Sequence, residues 1–328
     1  GMNDFSLTDH GPEASLSHKG LDYPMGRWVP PPDQPHEVAP GVRWLAMPLP
    51  LKVGHINLWL LDDHDERGPG TAIVDTGLNT PTGRDVWQAI LPGIRVTRIF
   101  ATHFHPDHTG LAGWLNEKTG ASLWMTRAEY LMGRMLQLDA RDQPPAEALA
   151  FVMDAGWSDV SINILRSKPW DFFSRGVAPL PATYRRMIDG EQINIGGRQW
   201  RVVVGTGHSP EHACLVCDDD KLMIAGDQVL PKISTNVSVS MMEPMADPLS
   251  DWLASIERFK KLPGDLLVLP AHNSPFYGLH ERLDQLERGH RQSLEALCDH
   301  CLAPRTIPEC FPVLFKRPID EGLLGLAT

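Results

Sequence analysis

T-H-F-H-P-D-H, residues 102–108, places three histidines and an aspartate within six positions, directly after the apolar run Ile99-Phe100-Ala101. Imidazole and carboxylate groups gain nothing in packing from such crowding, but they are the donors that hold divalent metal ions. The stretch therefore reads as a metal site on a loop at the end of a strand. In an extended loop His103 and His105 project to one side, whereas Asp107 and His108 follow the bend at Pro106 and can face a neighbouring point. Two adjacent metal positions are implied.

Working outward, other apolar runs finish on residues of the same chemistry. WRVVVGTGH ends at His208, KLMIAGD at Asp227 and DLLVLPAH at His272, while TAIVDTG carries Asp75. In α/β sheets the loops at strand C-termini converge, so residues distant in sequence can share one pocket. His208 would join His103 and His105 at one position, and His272 would join Asp107 and His108 at the other. Asp227, with two carboxylate oxygens, could bridge them. Each ion then keeps an open coordination position, which marks a catalytic rather than a structural site. A water shared by two cations loses a proton near neutral pH and becomes a nucleophile, and the cations stabilise the oxyanion formed on attack. Nitrogen and oxygen donors without thiolate suit two divalent ions such as zinc, with iron or manganese as alternatives.

The surrounding chain alternates strand-like and helical stretches, which predicts an α/β architecture. INLWLLDD, TAIVDTG and RVTRIFATH read as strands and PTGRDVWQAIL as a helix. A further helix is expected from Thr109 to Gly120, followed by the strand ASLWMT. Residues 127–185 read as a helical insertion containing Trp157, Trp170, Phe172, Phe173 and Tyr184, either a lid over the site or a packed appendage. Strands resume at EQINIGGRQWRVVVG, with a hairpin turn at Ile195-Gly196-Gly197-Arg198. The prolines of WVPPPDQPHEVAPG predict an extended N-terminal arm over residues 1–40. A catalytic domain is expected over 41–278 and an amphipathic helix with a proline-punctuated tail over 279–328.

With these motifs in place, the run T-H-x-H-x-D-H together with VDTG, GTGHSPEH, AGD and LPAH, in that order, resembles the metallo-β-lactamase fold superfamily. The closest likeness is to its glyoxalase II-like hydrolase branch. The resemblance covers about residues 42–278 and implies a four-layer αββα sandwich with a dinuclear site between the sheets. It implies the same seven ligands, with Asp75 holding a ligand loop in place. The tail is similar to the winged-helix-like ending of a branch that includes thioesterases and an endoribonuclease. The implied reaction is attack of a metal-bridging hydroxide on a thioester, ester or lactone carbonyl of a small molecule, with water or Asp107 protonating the leaving group. Two other activities share the fold: a mononuclear-iron persulfide dioxygenase, and a phosphodiesterase or endoribonuclease. The chain reads DHTGLAGWL where glyoxalase II motifs continue with Gly-Gly, and it offers no basic set for glutathione carboxylates.

Composition narrows the choice. Thirty Lys and Arg against 41 Asp and Glu give a formal net charge of -11, which disfavours a nucleic-acid partner. No run approaches the roughly 18 apolar residues of a membrane span, and residues 2–20 lack the pattern of a secretory signal, so a cytoplasmic location is expected. Five cysteines, an odd number, argue for free thiols. The C-x-x-C pairs Cys214/Cys217 and Cys298/Cys301 are read as free thiols rather than metal or redox motifs. His212 and His55 fall in plausible loops but are read as supporting or surface groups, as are His290 and Arg291 of the terminal helix. Nothing in the sequence fixes the oligomeric state.

Overall fold

The structure, a computed structural model, describes residues 11–328. Two short strands, β1 (Leu16–His18) and β2 (Leu21–Tyr23), pair antiparallel at the start. Seven strands then form one sheet in chain order: β3 (His36–Ala39), β4 (Val42–Pro48), β5 (His55–Asp65), β6 (Gly68–Val74), β7 (Val96–Phe100), β8 (Ser122–Thr126) and β9 (Arg185–Met187). The sheet is antiparallel from β3 to β6 and parallel from β6 to β9. A second sheet follows, again in chain order: β10 (Gln192–Ile195), β11 (Arg198–Gly205), β12 (His212–Cys217), β13 (Leu222–Gly226) and β14 (Leu267–Pro270). Only its last pair, β13 and β14, is parallel.

Helices fill the connections. They are α1 (Pro81–Ile90), α2 (Pro106–Thr109), α3 (Ala112–Thr119), α4 (Arg127–Leu138), α5 (Ala146–Ala155), α6 (Asp159–Ser167), α7 (Phe172–Gly176), α8 (Pro248–Phe259), α9 (Leu279–His300), α10 (Ile307–Leu314) and α11 (Glu321–Ala327). None is long and apolar enough to cross a membrane.

The period-2 alternation of strands sorts their side chains into layers. Trp44, Trp59 and Phe100 of the first sheet meet Trp200, Val202, Leu215 and Ile224 of the second in a core between the sheets. Their sequence neighbours Leu45, Leu58, Leu60 and Ile99 face outward, against Trp87 of α1 and Leu115 of α3. On the opposite flank Val216, Met223 and Val268 pack under Trp252 and Phe259 of α8 and Leu283 of α9. Helix, sheet, sheet, helix is thus the layer order, and the expected αββα sandwich is present.

Local details follow from the residues. α1 starts at Thr80, whose hydroxyl accepts the Gly83 amide at 2.9 Å, and buries Val86, Trp87 and Ile90 at helical spacing. The Gly196-Gly197 hairpin has both residues at positive φ, as a primed turn requires, with Ile195 opposite Arg198. The helix expected from Thr109 to Gly120 is α3, which begins at Ala112 and ends at Gly120 in the left-handed conformation, while the short α2 before it carries Asp107 and His108. Cys214 and Cys217, three apart on β12, face the outer and the inter-sheet core respectively, and all five cysteines are free.

The expected N-terminal arm needs correction where it is described. Residues 1–10 lie outside the described residues. From residue 11 the segment is packed: Met25, Trp28 and Val29 enter the inter-sheet core, Trp28 meets Trp44 edge-on at 6.1 Å, and β3 belongs to the large sheet. Prolines bar regular structure but not burial of the apolar residues between them. The insertion is helical as expected, α4 to α7, and the tail after β14 is helical throughout its described elements, with no strand pair to form a wing.

Candidate metal centre

The parallel strands β6 and β7 of one sheet, and β13 and β14 of the other, end at a common edge, and each delivers part of the site just past its last residue. β6 leads to Asp75, β7 to the loop 101–105 and α2, β13 to Asp227 and β14 to His272, while β11 leads to His208. The backbone ties this edge together: the Asp75 amide donates to Phe100 O, Thr76 N to His108 O, and Ala213 N to Thr102 O.

All seven residues singled out from the sequence as ligands come together, in two quartets that share Asp227. One is His103, His105, His208 and Asp227; the other is Asp107, His108, Asp227 and His272, and within each the donor atoms lie within 4.8 Å of one another. Asp227 Oδ2 is 3.3 Å from His208 Nε2, 3.5 Å from His103 Nε2 and 3.2 Å from His108 Nε2. Its other oxygen, Oδ1, is 3.4 Å from His272 Nε2. Asp107 Oδ2 lies 3.6 Å from His108 Nε2 and 3.5 Å from His272 Nε2.

The far nitrogens of these rings are anchored, which fixes where their lone pairs point. His208 Nδ1 donates to the Asn236 carbonyl at 2.7 Å and His272 Nδ1 to the His55 carbonyl at 3.0 Å. His108 Nδ1 donates to Asp75 Oδ2 at 2.7 Å. A carbonyl or carboxylate can only accept, so in each of these rings Nδ1 carries a proton and Nε2 is the nitrogen turned to the centre.

Burial, reinforced by the charge on His208, pushes His105 down to about 3, and burial with the charge on His108 holds His103 well below the usual histidine range. Both are thus neutral donors. In the other quartet burial opposes charge, yet Asp107, Asp75 and Asp227 outweigh it at His108 and raise it well above the ordinary value. His272 is raised in the same way, with Asp227 as the largest favourable influence over burial. Asp227 stays well below the carboxylate range despite burial because His108 and His272 face it. The carboxylates at this centre draw positive charge into a buried site, which is what a divalent cation supplies.

Two observations test that fit. His208 Nε2 and His103 Nε2 face each other across 3.2 Å, a juxtaposition of ring nitrogens that a shared cation accounts for. Asp227 Oδ1 is buried and accepts no hydrogen bond among the described residues, its contact being the His272 Nε2 ion pair at 3.4 Å, so it keeps acceptor capacity that a cation could use. The donor set fits two metal positions joined by one carboxylate.

Supporting residues surround it. Asp75 accepts the Thr102 amide at 2.8 Å and its hydroxyl at 2.9 Å, holding the motif loop from beneath. Thr102 was not singled out in the sequence, although its place before the first motif histidine was the available signal. His212 is fully buried and its Nε2 accepts the Asp227 amide at 3.1 Å, so it sets the turn after β13 rather than lying at the surface. His55 contributes its backbone carbonyl. His290 lies beside Trp252 and Arg291 pairs with Glu287, neither in the centre.

The family model described as the metallo-beta-lactamase superfamily matches residues 51–272. The crystal structure of a beta-lactamase domain protein from Burkholderia ambifaria is similar at 41% identity and TM-score 0.85, over 94% of this chain and 89% of that one. A metallo-beta-lactamase family protein from Thermus thermophilus is similar at 28% identity and TM-score 0.71, over 86% and 89%. Among curated relatives, an atrochrysone carboxyl ACP thioesterase from Aspergillus novofumigatus is 23% identical over 79% of this chain and 67% of its own length.

Proposed function

The chain belongs to the metallo-beta-lactamase superfamily, and from that premise we propose that it is a dinuclear metal-dependent hydrolase of the glyoxalase II-like kind, acting on a thioester, ester or lactone of a small molecule. The observation that carries this reading is the pair of complete donor quartets joined through Asp227. His103, His105, His208 and Asp227 would hold one ion, and Asp107, His108, Asp227 and His272 the other, with zinc the metal that best suits the donors. Bound there, divalent cations supply Lewis acidity, which activates water near neutral pH and offsets negative charge developing on a carbonyl oxygen.

The chain's own residues do the rest. Asp75 and the Asn236 and His55 carbonyls hold three imidazoles in the tautomer that donates a lone pair. Asp107 is the more open of the two carboxylates, with its side chain 20% exposed against 9% for Asp227. Burial opposes its charge, but His108 and His272 hold its carboxyl below the usual range, so it is placed to take up the proton that the attacking water gives off and pass it to a departing thiol or alcohol. The thioesterase names among relatives, such as the one from Aspergillus novofumigatus, support the thioester as the first substrate class to try.

Elemental analysis of the purified protein, paired with hydrolysis assays on thioester, ester and lactone panels, tests the reading. Two ions per chain and a His105→Ala variant that loses metal and turnover together are expected. A single iron per chain with oxygen consumption on a persulfide would replace the hydrolase with an oxygenase, and His105→Ala with full metal and full activity would remove the ligand assignment.

A further inference from the structure

Glu129 is fully buried in the first turn of α4, outside both donor quartets, and both of its carboxylate oxygens are used. Oε2 accepts the Phe104 amide at 2.9 Å, between His103 and His105 in the motif loop. Oε1 accepts the Glu211 amide at 2.9 Å, in the loop that carries His208. One side chain therefore joins the two loops that supply every histidine of the first quartet.

The start of α4 is diverted to this task. Thr126-Arg-Ala-Glu129 has the residue pattern of a capping box, in which Thr and Glu would satisfy the helix's own amides. Thr126 occupies the N-cap position but makes no side-chain cap; its hydroxyl instead donates to the Glu211 carbonyl at 2.8 Å. The Glu211 peptide is thus gripped on its N–H side by Glu129 and on its carbonyl side by Thr126. α4 is seated against the motif loop as well, with Gly133 packed near Phe104 and Phe173. Burial pushes the Glu129 carboxyl up to about 7, although the Glu211 and Phe104 amides favour its charged form. Keeping such a group in the interior is costly, and a carboxylate is what offers an acceptor oxygen to each of the two amides.

We propose that Glu129 is a positioning residue for the first metal position, fixing the separation of the loop bearing His103 and His105 from the loop bearing His208. This rests on the metal reading above. Glutamine at 129 keeps one acceptor oxygen but turns an amide N–H2 toward a backbone N–H, so one loop is released while the side-chain volume is kept.

Cobalt(II) titration of the metal-free full-length chain, read by its visible absorption and by competition with a chelator, tests the proposal on wild type, Glu129→Gln and His105→Ala. His105→Ala identifies the spectral phase that belongs to the first position. Glu129→Gln is expected to weaken that phase by about ten- to a hundredfold and alter its absorption, while the second phase keeps its affinity. Thr126→Val, which removes only the grip on the Glu211 carbonyl, provides the same readout with a smaller effect and replaces Glu129→Gln should that variant be insoluble. Wild-type affinity and spectrum for both phases in Glu129→Gln, or an equal loss in both phases, would overturn the positioning role while leaving the metal reading intact. A wild-type chain that binds no cobalt would overturn both.

Discussion

At Asp75 one carboxylate serves two masters: it orients the His108 ring and holds the peptide of Thr102, the residue before the motif histidines. It does so from a left-handed backbone position, φ 64, which asparagine tolerates better than most residues. Asp75→Asn is therefore a clean substitution, since the backbone need not move and the amide NH2 must face one or more of the three donors, the Thr102 amide, the Thr102 hydroxyl and His108 Nδ1. We expect the His108 position to lose about 10- to 100-fold in metal affinity with the fold intact, checked by chelator competition and by circular dichroism. Unchanged affinity would mean that the His108 tautomer is set by something other than Asp75. The seven donors of the two quartets were legible in the sequence because costly polar residues either crowd directly after an apolar run, as at 103–108, or end one, as at His208, Asp227 and His272. Glu129 was not, because T-R-A-E reads as a local cap, and nothing in a sequence says that its hydrogen bonds leave the helix.

At the scale of elements, α3 is pinned by a backbone contact rather than by side chains. A Cβ placed on Gly113 would lie 1.8 Å from the Pro179 carbonyl oxygen, so the segment following α7 lies directly on the helix there. Alanine at 113 would gain about 1 kcal/mol of helix propensity but must wedge two backbones apart, at a cost of about 1–3 kcal/mol or more. The contact is closer than ordinary overpacking, so the cost wins. Gly113→Ala should lower stability by about 2 kcal/mol in urea unfolding, and a variant as stable as wild type would show that the 178–180 segment shifts freely. The same element shows what sequence patterning misses: apolar periodicity located the helix, whereas the break between α2 and α3 falls where the Leu111 amide donates to Thr76 Oγ1 at 3.1 Å and the Gly110 carbonyl accepts the Ala178 amide at 2.8 Å, bonds to segments distant in sequence. Likewise the prolines before residue 40 suggested an arm, and the burial of Trp28 against Trp44 depends on a partner strand that local sequence does not reveal.

For the molecule as a whole, one ion pair stitches the two sheets. Asp63 of β5 accepts the Thr97 hydroxyl at 2.7 Å, Arg98 Nε at 3.1 Å and the Gly196 amide at 3.0 Å, and Arg98 Nη2 donates to the Asn194 carbonyl. Thr97 and Arg98 are in the first sheet, while Asn194 and Gly196 belong to the hairpin of the second. Burial works against the charged carboxylate, but Thr97, Arg98 and the amides outweigh it and hold Asp63 below the usual range. A carboxyl lowered on folding contributes stability that is complete above its unfolded value of about 4 and is lost as pH falls through the folded value. Asp63→Asn should therefore cost about 3 kcal/mol near neutral pH, with the deficit shrinking as the pH of the unfolding experiment is lowered below about 4. A deficit that stays constant across that range would assign the loss to shape rather than charge.

The seven donors are divided between the sheets, with His103 to His108 following β7 and His208, Asp227 and His272 following strands of the second sheet. That division has a consequence in time. On the ribosome the motif loop emerges first, and His272 is made only after β14, so on the proposed metal reading an ion taken up early would have only a partial set of donors until the later sheet docks. Because a preformed site is absent from the unfinished chain, cells starved of metal during synthesis and supplied afterwards should yield a different loaded fraction from cells supplied throughout.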